Sequence, residues 1–371
     1  MSLHDLVVDA FSADGVLAHS VEDFRSRPGQ TEMALAVADT MAQGGVLVVE
    51  AGTGVGKTFS YLVPALLSGE KVLLSTATKT LQDQLFGRDL PRLIAALGLP
   101  VRAALLKGRS SYLCLHRMDL ARQDDASSGT AASRALARIE VWSQSTRSGD
   151  LAELPGLDER SPLIPLVTST RDNCLGAQCP KFRACHVNLA RREALAADVV
   201  VINHHLFFAD LAVRESGMAE LLPTVCSVVF DEAHQINETG VQFLGRHLST
   251  GQLLDFVRDM LACGLQQARG LADWSSCASV LERATRDLRL CVGKTYPGAK
   301  LRWTQESPEQ IDPQGWHDAL DSLKQASRLA AQALATVSEI SPDFVRLQER
   351  IEGIVGLLDF FSRHCEPGSV R

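Results

Sequence analysis

Short apolar runs separated by longer amphipathic stretches characterise the first 240 residues. The runs at residues 46–49, in KVLLST, at residues 199–202 and in CSVVF each have the length of a buried strand. Uninterrupted apolar runs of this kind are typical of parallel strands that are covered on both faces. The pattern predicts an α/β fold with a parallel sheet.

Beyond residue 240 the apolar residues recur three and four positions apart, which is the spacing of helices with one buried face. The stretches with this spacing are TGQLLDFVRDMLACGLQQ, ASVLERATRDLRLCV and SPDFVRLQERIEGIVGLLDFFSRH. The simplest interpretation is that the apolar faces form the core of a mainly helical domain.

Composition favours a cytoplasmic protein with more than one domain and no membrane partner. The chain has 371 residues, of which 46% are apolar, yet no stretch approaches the roughly 20 consecutive apolar residues of a spanning helix. The start, MSLHDLVVDAFSADG, lacks the basic residues and long apolar run of a signal peptide. In a reducing compartment, clustered cysteines indicate a metal or redox site rather than disulfides.

The distribution of charge is more informative than the net charge of -7. Residues 102–122 contain five basic residues and one acidic residue, and residues 171–193 contain five basic and two acidic ones. Such windows are either solvated surface or a nucleic-acid contact. The first window contains Cys114, and the second contains Cys174, Cys179 and Cys185.

The stretch AGTGVGKT follows the first apolar run and opens an apolar helix. It fits a phosphate-binding loop of the form A-x-x-G-x-G-K-T, with Ala51 where the stricter pattern has glycine. Glycines let backbone N–H groups face a phosphate, the lysine meets the β- and γ-phosphates, and the threonine hydroxyl binds Mg²⁺. The predicted ATP and Mg²⁺ site contains Gly52, Thr53, Gly54, Gly56, Lys57 and Thr58.

A second motif, DEAH, ends the apolar run CSVVF. In a parallel sheet its carboxylates would lie at the same edge as the phosphate loop. We expect Asp231 to bind Mg²⁺, Glu232 to orient and deprotonate the attacking water, and His234 to relay the nucleotide state to bound nucleic acid. With Lys57, these are the predicted catalytic residues.

Polar residues beside these motifs predict further contacts. Gln30 precedes an amphipathic helix, where its amide could read both edges of adenine. Thr78, Lys79 and Thr80 open the helix after KVLLST. They could hold a nucleic-acid phosphate there, or simply cap the helix.

Six motifs follow one another in the order FRSRPGQ, AGTGVGKT, STATKTLQDQL, LLKGRSSYLC, VVVINHHLFFAD and VVFDEAH. In this combination the chain resembles the XPD/DinG family of superfamily 2 iron-sulfur DNA helicases, most of all its YoaA-like bacterial members, from about Phe24 to His247. The resemblance implies a RecA-like parallel-sheet P-loop motor domain, an inserted iron-sulfur domain and a mainly helical Arch-type domain. It also implies ATP-driven 5′–3′ translocation on single-stranded or forked DNA, in repair or replication-fork maintenance, with a replication or repair protein partner of unspecified identity.

In this family four cysteines hold a 4Fe-4S iron-sulfur cluster, and the resemblance assigns that role to Cys114, Cys174, Cys179 and Cys185. Thiolates suit such a cluster. Zinc is the alternative, although structural zinc sites usually have more closely spaced cysteine pairs. The neighbouring histidines at 116 and 186 are either substitute ligands or plain surface residues.

Residues near the proposed cluster are candidate DNA contacts. Arg109 and Tyr112 could contact or stack on a passing base, and packing is the alternative for Tyr112. The resemblance places Asn203, His204 and His205 near the DNA path or the cluster junction.

These assignments predict a discontinuous motor domain at 1–100 and 191–240, the cluster insertion at 101–190 and the helical domain at 241–371. The second RecA-like domain and its arginine-bearing motif are missing from the chain, so we expect an N-terminal fragment that is nearly inactive as an ATPase by itself. The alternative is a non-enzymatic DNA-binding or regulatory module with relic motor motifs.

Overall fold

The computed structural model describes residues 1–21, 24–52, 54–125, 131–158, 160–215, 221–293, 299–303 and 306–363. The strands are β1 (Val72–Thr76), β2 (Ala103–Leu105), β3 (Val199–Asn203) and β4 (Ser227–Phe230). The helices are α1 (Leu3–Phe11), α2 (Val16–Ser20), α3 (Pro28–Gln43), α4 (Lys57–Leu67), α5 (Lys79–Gln84), α6 (Leu90–Leu97), α7 (Leu115–Asp125), α8 (Ala131–Ser143), α9 (Ile164–Val167), α10 (His186–Ala196), α11 (His204–Glu215), α12 (Ile236–Leu244), α13 (Thr250–Gln267), α14 (Trp274–Cys291), α15 (Pro313–Ala335) and α16 (Pro342–Phe361).

The strands form one parallel sheet in the order β2-β3-β1-β4. Three of the four predicted apolar runs are confirmed as strands β1, β3 and β4. Because all strands run the same way, the residues that follow them collect at one edge of the sheet. The mixed α/β architecture with a parallel sheet is that of a RecA-like helicase motor domain.

The strand predicted at residues 46–49 is wrong. Val46 is 93% exposed and Val48 is 89% exposed, and no strand of the described residues pairs with this run. An apolar run becomes a strand only where a neighbour accepts and donates its backbone hydrogen bonds. The edge strand β4 pairs with β1 alone among the described strands, and its Val228 is 39% exposed.

The chain divides into two compact units, whose bounds differ from the predicted domain ranges. The first contains Met1–Leu113, Ser145–Leu157 and Ala184–Gly245, and the second contains Cys114–Gln144, Asp158–Arg183 and Arg246–Arg371. Residues of the predicted 101–190 insertion occur in both units. The assignment of that range as a separate domain stays a prediction.

In the first unit both faces of the sheet are covered. Val72 and Leu74 of β1 point into a core built from helices α1, α3, α4 and α6, whereas Leu73 points into a smaller core with residues of α10. This alternation follows from the two-residue period of a strand. It explains why the strand sequences are apolar without a polar face.

In the second unit, helices α13 to α16 share a core that includes the stacked rings of Trp274 and Phe344. The helices predicted beyond residue 240 are confirmed. Arg117 of α7 and Arg350 of α16 both bind Asp259 of α13, at 3.1 and 2.8 Å. Burial would raise the pKa of Asp259, but the two guanidinium groups outweigh it and lower that pKa. The Asp259 carboxylate therefore links α7, which lies in the predicted 101–190 insertion, to α13 and α16.

Among the described helices, none has both the length and the apolar character required to span a bilayer.

Candidate nucleotide-binding site

The phosphate loop lies between the irregular run at residues 46–50 and helix α4, which begins at Lys57. Gly54 and Gly56 have φ angles of 82° and 94°, a left-handed region that side chains rarely adopt. A Cβ atom on Gly52 or Gly54 would meet no atom within 4 Å. The loop is therefore open above the start of a helix, where unpaired backbone N–H groups favour an anion. Thr53 lies outside the described residues.

Gln30 is hydrogen-bonded to the backbone of this loop. Its side chain is 5% exposed, its Nε2 donates to the carbonyl of Gly56 at 3.1 Å, and its own carbonyl accepts a hydrogen bond from Ser60 Oγ at 3.0 Å. The amide nitrogen expected to read adenine is thus engaged by the loop backbone. Adenine recognition by Gln30 stays a prediction.

Asp231 follows β4 at the sheet edge, where its backbone N–H donates to the carbonyl of Ser75 at 2.8 Å. Burial and the charge of Glu232 raise the pKa of Asp231, and the ammonium group of Lys57 acts in the opposite direction. Lys57 and Asp231 are therefore close enough to interact. The fold brings together the phosphate loop and the DEAH motif, as the sequence predicted.

Tyr61 is a residue of this site that the sequence analysis missed. It lies one helical turn after Thr58, is 4% exposed, and places its hydroxyl beside both Thr58 and Asp231. Burial, with the charge of Asp231, raises its pKa, so the phenol stays protonated. Its spacing from Thr58 on α4 was the available signal.

Glu232 has φ 57° and ψ 43°, a left-handed backbone conformation that costs a residue other than glycine about 1–2 kcal/mol. Strain of this kind is often found at functional sites. Its Oε2 lies 3.5 Å from Nδ1 of His234, whose side chain is 69% exposed. The DEAH turn therefore presents a carboxylate and an accessible imidazole side by side.

The predicted DNA contacts divide into exposed and buried groups. Thr78, Lys79 and Thr80 are exposed, and Thr78 Oγ1 accepts from the N–H of Leu81 at 3.2 Å, so it does cap helix α5. Arg109 is half-buried in a short 3₁₀ turn, Arg109–Ser111.

Asn203 begins a helix rather than projecting from the surface. Its Oδ1 accepts from the N–H of Leu206 at 2.9 Å, at the start of α11. His204 is 0% exposed, so its ring cannot meet a base in this structure. The expected DNA contact of His204 is therefore wrong, because its ring is buried.

Tyr112 needs the same correction, because it is 4% exposed. Its hydroxyl accepts from the N–H of Lys107 at 3.0 Å, and burial raises its pKa to about 12. Lys107 is itself buried, with Nζ 2.6 Å from both Asp83 and Asp150. Burial alone would lower the pKa of Lys107, but the two carboxylates outweigh it and raise that pKa. Packing, the alternative for Tyr112, is what the structure has.

Three of the predicted cluster ligands, Cys114, Cys174 and Cys179, belong to the second compact unit, and Cys185 precedes α10 in the first. All four are half-buried cysteines outside any disulfide. Burial raises the pKa of Cys114 to about 11, and the charges of Cys179 and Cys174 add to that increase. Over the described ranges, no three His, Cys, Asp or Glu side chains are arranged to hold a metal ion.

The histidines beside these cysteines have other surroundings. Nε2 of His116 lies 3.0 Å from Oδ1 of Asp343. His186 is 7% exposed, and a Cβ atom on Gly149 would come within 2.2 Å of its ring. Neither side chain is a plain surface residue, and His116 already has a partner.

Comparison with known proteins identifies the family. A DEAD/DEAH box helicase family model matches residues 28–124. The chain is 38% identical over 359 residues to the ATP-dependent DNA helicase YoaA of Haemophilus influenzae, covering 95% of this chain and 54% of that protein. It is 42% identical over 306 residues to YoaA of Escherichia coli, covering 82% and 48%, and 41% identical over 250 residues to the ATP-dependent helicase DinG of Mycobacterium tuberculosis, covering 61% and 37%.

The chain belongs to the DinG/XPD-like family of DEAD/DEAH-box helicases. It spans about half the length of the YoaA proteins that it matches, 54% in one case and 48% in the other. In this family context, ATP and Mg²⁺ fit the site that the phosphate loop and the DEAH motif form.

Gly56→Ala tests the conformation of the phosphate loop. The new Cβ would lie 2.2 Å from Gln30 Nε2 at a φ of 94°. We expect the free energy of unfolding to fall by about 1–2 kcal/mol from the backbone strain alone. Gly52→Ala is the matched control, because its Cβ would meet nothing within 4 Å. Equal stability of the two variants in urea unfolding would contradict this loop geometry.

Proposed function

We propose that the protein is an ATP-dependent 5′–3′ DNA helicase of the iron-sulfur family, acting on single-stranded or forked DNA in repair or at replication forks. The observation that carries the proposal is the position of Asp231 at one edge of the parallel sheet, where its N–H donates to the Ser75 carbonyl at 2.8 Å and the charge of Lys57 acts on its carboxyl group. The names of the relatives, which are DNA helicases, supply the substrate class. Polarity and the repair context rest on the sequence resemblance alone.

Each group at the sheet edge has a role that follows from its chemistry. Lys57 and the backbone N–H groups at the start of α4 would hold the β- and γ-phosphates. Thr58 and Asp231 would hold Mg²⁺, which neutralises charge on the phosphates when it is bound. Glu232 would accept a hydrogen bond from the attacking water and orient it toward the γ-phosphate. Gln30 would keep the loop backbone in place.

His234 is suited to a signalling role. Its ring is exposed on one side and lies within 3.5 Å of the Glu232 carboxylate on the other. A change in that carboxylate on nucleotide binding would alter the environment of the imidazole. We place the relay between nucleotide and DNA at this pair.

The exposed groups beyond β1 are the best DNA contacts in the first unit. Lys79 and the hydroxyl of Thr80 project from the start of α5, next to the capping residue Thr78. Phosphate contacts of this type position a strand without reading its sequence. Arg109 is a further candidate because its guanidinium suits either a phosphate or a base face.

Glu232→Gln tests the hydrolytic assignment in the whole gene product that contains this chain. The amide keeps the size of the side chain but cannot take a proton, so we expect single-strand-stimulated ATP turnover to fall about 100-fold or more. The affinity for ATP should be unchanged. Steady-state hydrolysis and equilibrium nucleotide binding measure the two effects.

Glu238→Gln is the control, since Glu238 is an exposed carboxylate in the first turn of α12. Full turnover in the Glu232 variant would remove Glu232 from the mechanism. If the wild-type protein binds single-stranded DNA tightly but shows no stimulated hydrolysis, and Lys57→Ala changes nothing, the regulatory DNA-binding module is the better account.

The second part of the proposal is a 4Fe-4S cluster held by Cys114, Cys174, Cys179 and Cys185. The chemistry of the donor set fits, because all four residues are cysteines outside any disulfide and thiolate is the ligand such clusters take. The charges of Cys174 and Cys179 both act on Cys114, which supports a common role. Cys185 follows Cys179 by six positions in the sequence. Each thiolate of a cluster binds a different iron, whereas a single zinc ion would need all ligands on one centre.

Cys174→Ser removes one thiolate. In protein purified anaerobically, we expect about four iron atoms per wild-type chain, with matching sulfide, and loss of most iron and of the brown absorbance in the variant. Cys226→Ser is the control, because the Cys226 thiol is exposed and donates to Glu70 Oε2 at 3.0 Å. Zinc in place of iron, or iron content that the Cys174 change leaves intact, would refute the assigned ligands.

A further inference from the structure

Ser75 and His204 form a buried polar pair beneath the DEAH turn. Ser75 Oγ lies 2.7 Å from His204 Nδ1, and the two residues are 1% and 0% exposed. Burying two polar side chains in this way costs free energy unless both are hydrogen-bonded. Neither the ATP site nor the DNA contacts described above use it.

Ser75 also binds the DEAH turn through its backbone. It is paired with Ile202 of β3 on one side and with Phe230 of β4 on the other. Its carbonyl accepts the N–H of Asp231 at 2.8 Å. One residue therefore joins the imidazole, through its side chain, to the start of the turn, through its main chain.

His204 contacts the same turn directly. Its ring packs against the ring of Phe230, with centroids 5.9 Å apart. The backbone carbonyl groups of Asp231 and Glu232 are near enough to raise the pKa of the imidazole, although burial has the larger effect and lowers it. In the part of the chain that the structure describes, the buried Nε2 atom makes no hydrogen bond.

The two ring nitrogens therefore differ. Nδ1 faces the Ser75 hydroxyl, which leaves Nε2 as the ring nitrogen that can donate to the nearby carbonyl groups of Asp231 and Glu232. Glu232 is in a left-handed conformation. A buried N–H without an acceptor costs free energy, which a hydrogen bond to the turn would recover. Any change in the Glu232 backbone reorients those carbonyl groups relative to Nε2.

We propose that His204 is a positioning residue that sets the Asp231–Glu232 turn for hydrolysis, with Ser75 holding the imidazole in place. Ser75 precedes the proposed DNA-contacting Thr78 by three residues in the sequence. The pair thus connects the segment that would meet DNA with the carboxylate that would orient water. This inference rests on the proposed helicase function and gives His204 an internal role in place of a DNA contact.

Two substitutions of His204 separate its two contacts. Asparagine places an amide near the position of Nδ1 and keeps a partner for Ser75, whereas glutamine reaches toward the position of Nε2 and the turn. In the whole gene product, we expect His204→Asn to lower the kcat of DNA-stimulated ATP hydrolysis about 10- to 100-fold, with an unchanged KM for ATP. His204→Gln should recover most of the loss.

His19→Asn is the control, because His19 is an exposed histidine of helix α2 that takes no part in the candidate site. It should leave kcat unchanged. Equal kcat in wild type and His204→Asn, or a loss in His204→Gln as large as in His204→Asn, would overturn the positioning role.

A readout independent of turnover is amide hydrogen exchange of residues 231–236 in the 371-residue chain. His204→Asn should speed exchange of this turn, and His19→Asn should not. Ser75→Ala should speed exchange of the same amides. The double variant should show little further increase, because each change interrupts the same chain of contacts from Ser75 through His204 to the turn. If exchange stays at the wild-type rate in both single variants, the inference fails. If the exchange changes as expected but wild-type protein shows no DNA-stimulated hydrolysis, the proposed function fails and the inferred contact stands.

Discussion

The pairing of β1 with β3 on one side and with β4 on the other is the constraint on which the candidate site depends. Parallel pairing brings the residues after three strands to one edge, and the bond from Asp231 N–H to the Ser75 carbonyl fixes the DEAH turn there. The strands have no polar face, since helices cover both sides of the sheet. Burial at the core therefore determines where the carboxylates of the DEAH motif lie.

The same burial also shifts the pKa values of charged groups at this edge. Taking Asp231 out of water raises its pKa, and the nearby Lys57 works against that effect. At two other buried groups, the number of oppositely charged partners decides the direction of the pKa shift. Two carboxylates outweigh the burial of Lys107, and two guanidinium groups outweigh the burial of Asp259. For Asp231, the single ammonium group of Lys57 does not outweigh burial, so the pKa stays raised. A bound cation would stabilise this carboxylate.

Local sequence predicted the features that depend on neighbouring residues. The glycines of the phosphate loop, three of the strands and the helices beyond residue 240 follow from backbone preference and apolar spacing. The run at residues 46–49 was predicted wrongly, because a strand also needs a partner that the run itself does not specify. Likewise, Tyr112 and His204 have side chains common at nucleic-acid surfaces, and only the tertiary fold decides that they are buried. The Ser75–His204 pair joins residues 129 positions apart, so no local pattern could reveal it.

We propose that this sheet edge drives movement along DNA. The most direct measurement is ATP-dependent strand displacement by the whole gene product, on duplexes that carry either a 5′ or a 3′ single-stranded tail, with Lys57→Ala as the inactive reference. The account predicts displacement of the 5′-tailed duplex only, and none with the Lys57 variant. Displacement of the 3′-tailed duplex, or displacement that persists in Lys57→Ala, would contradict it.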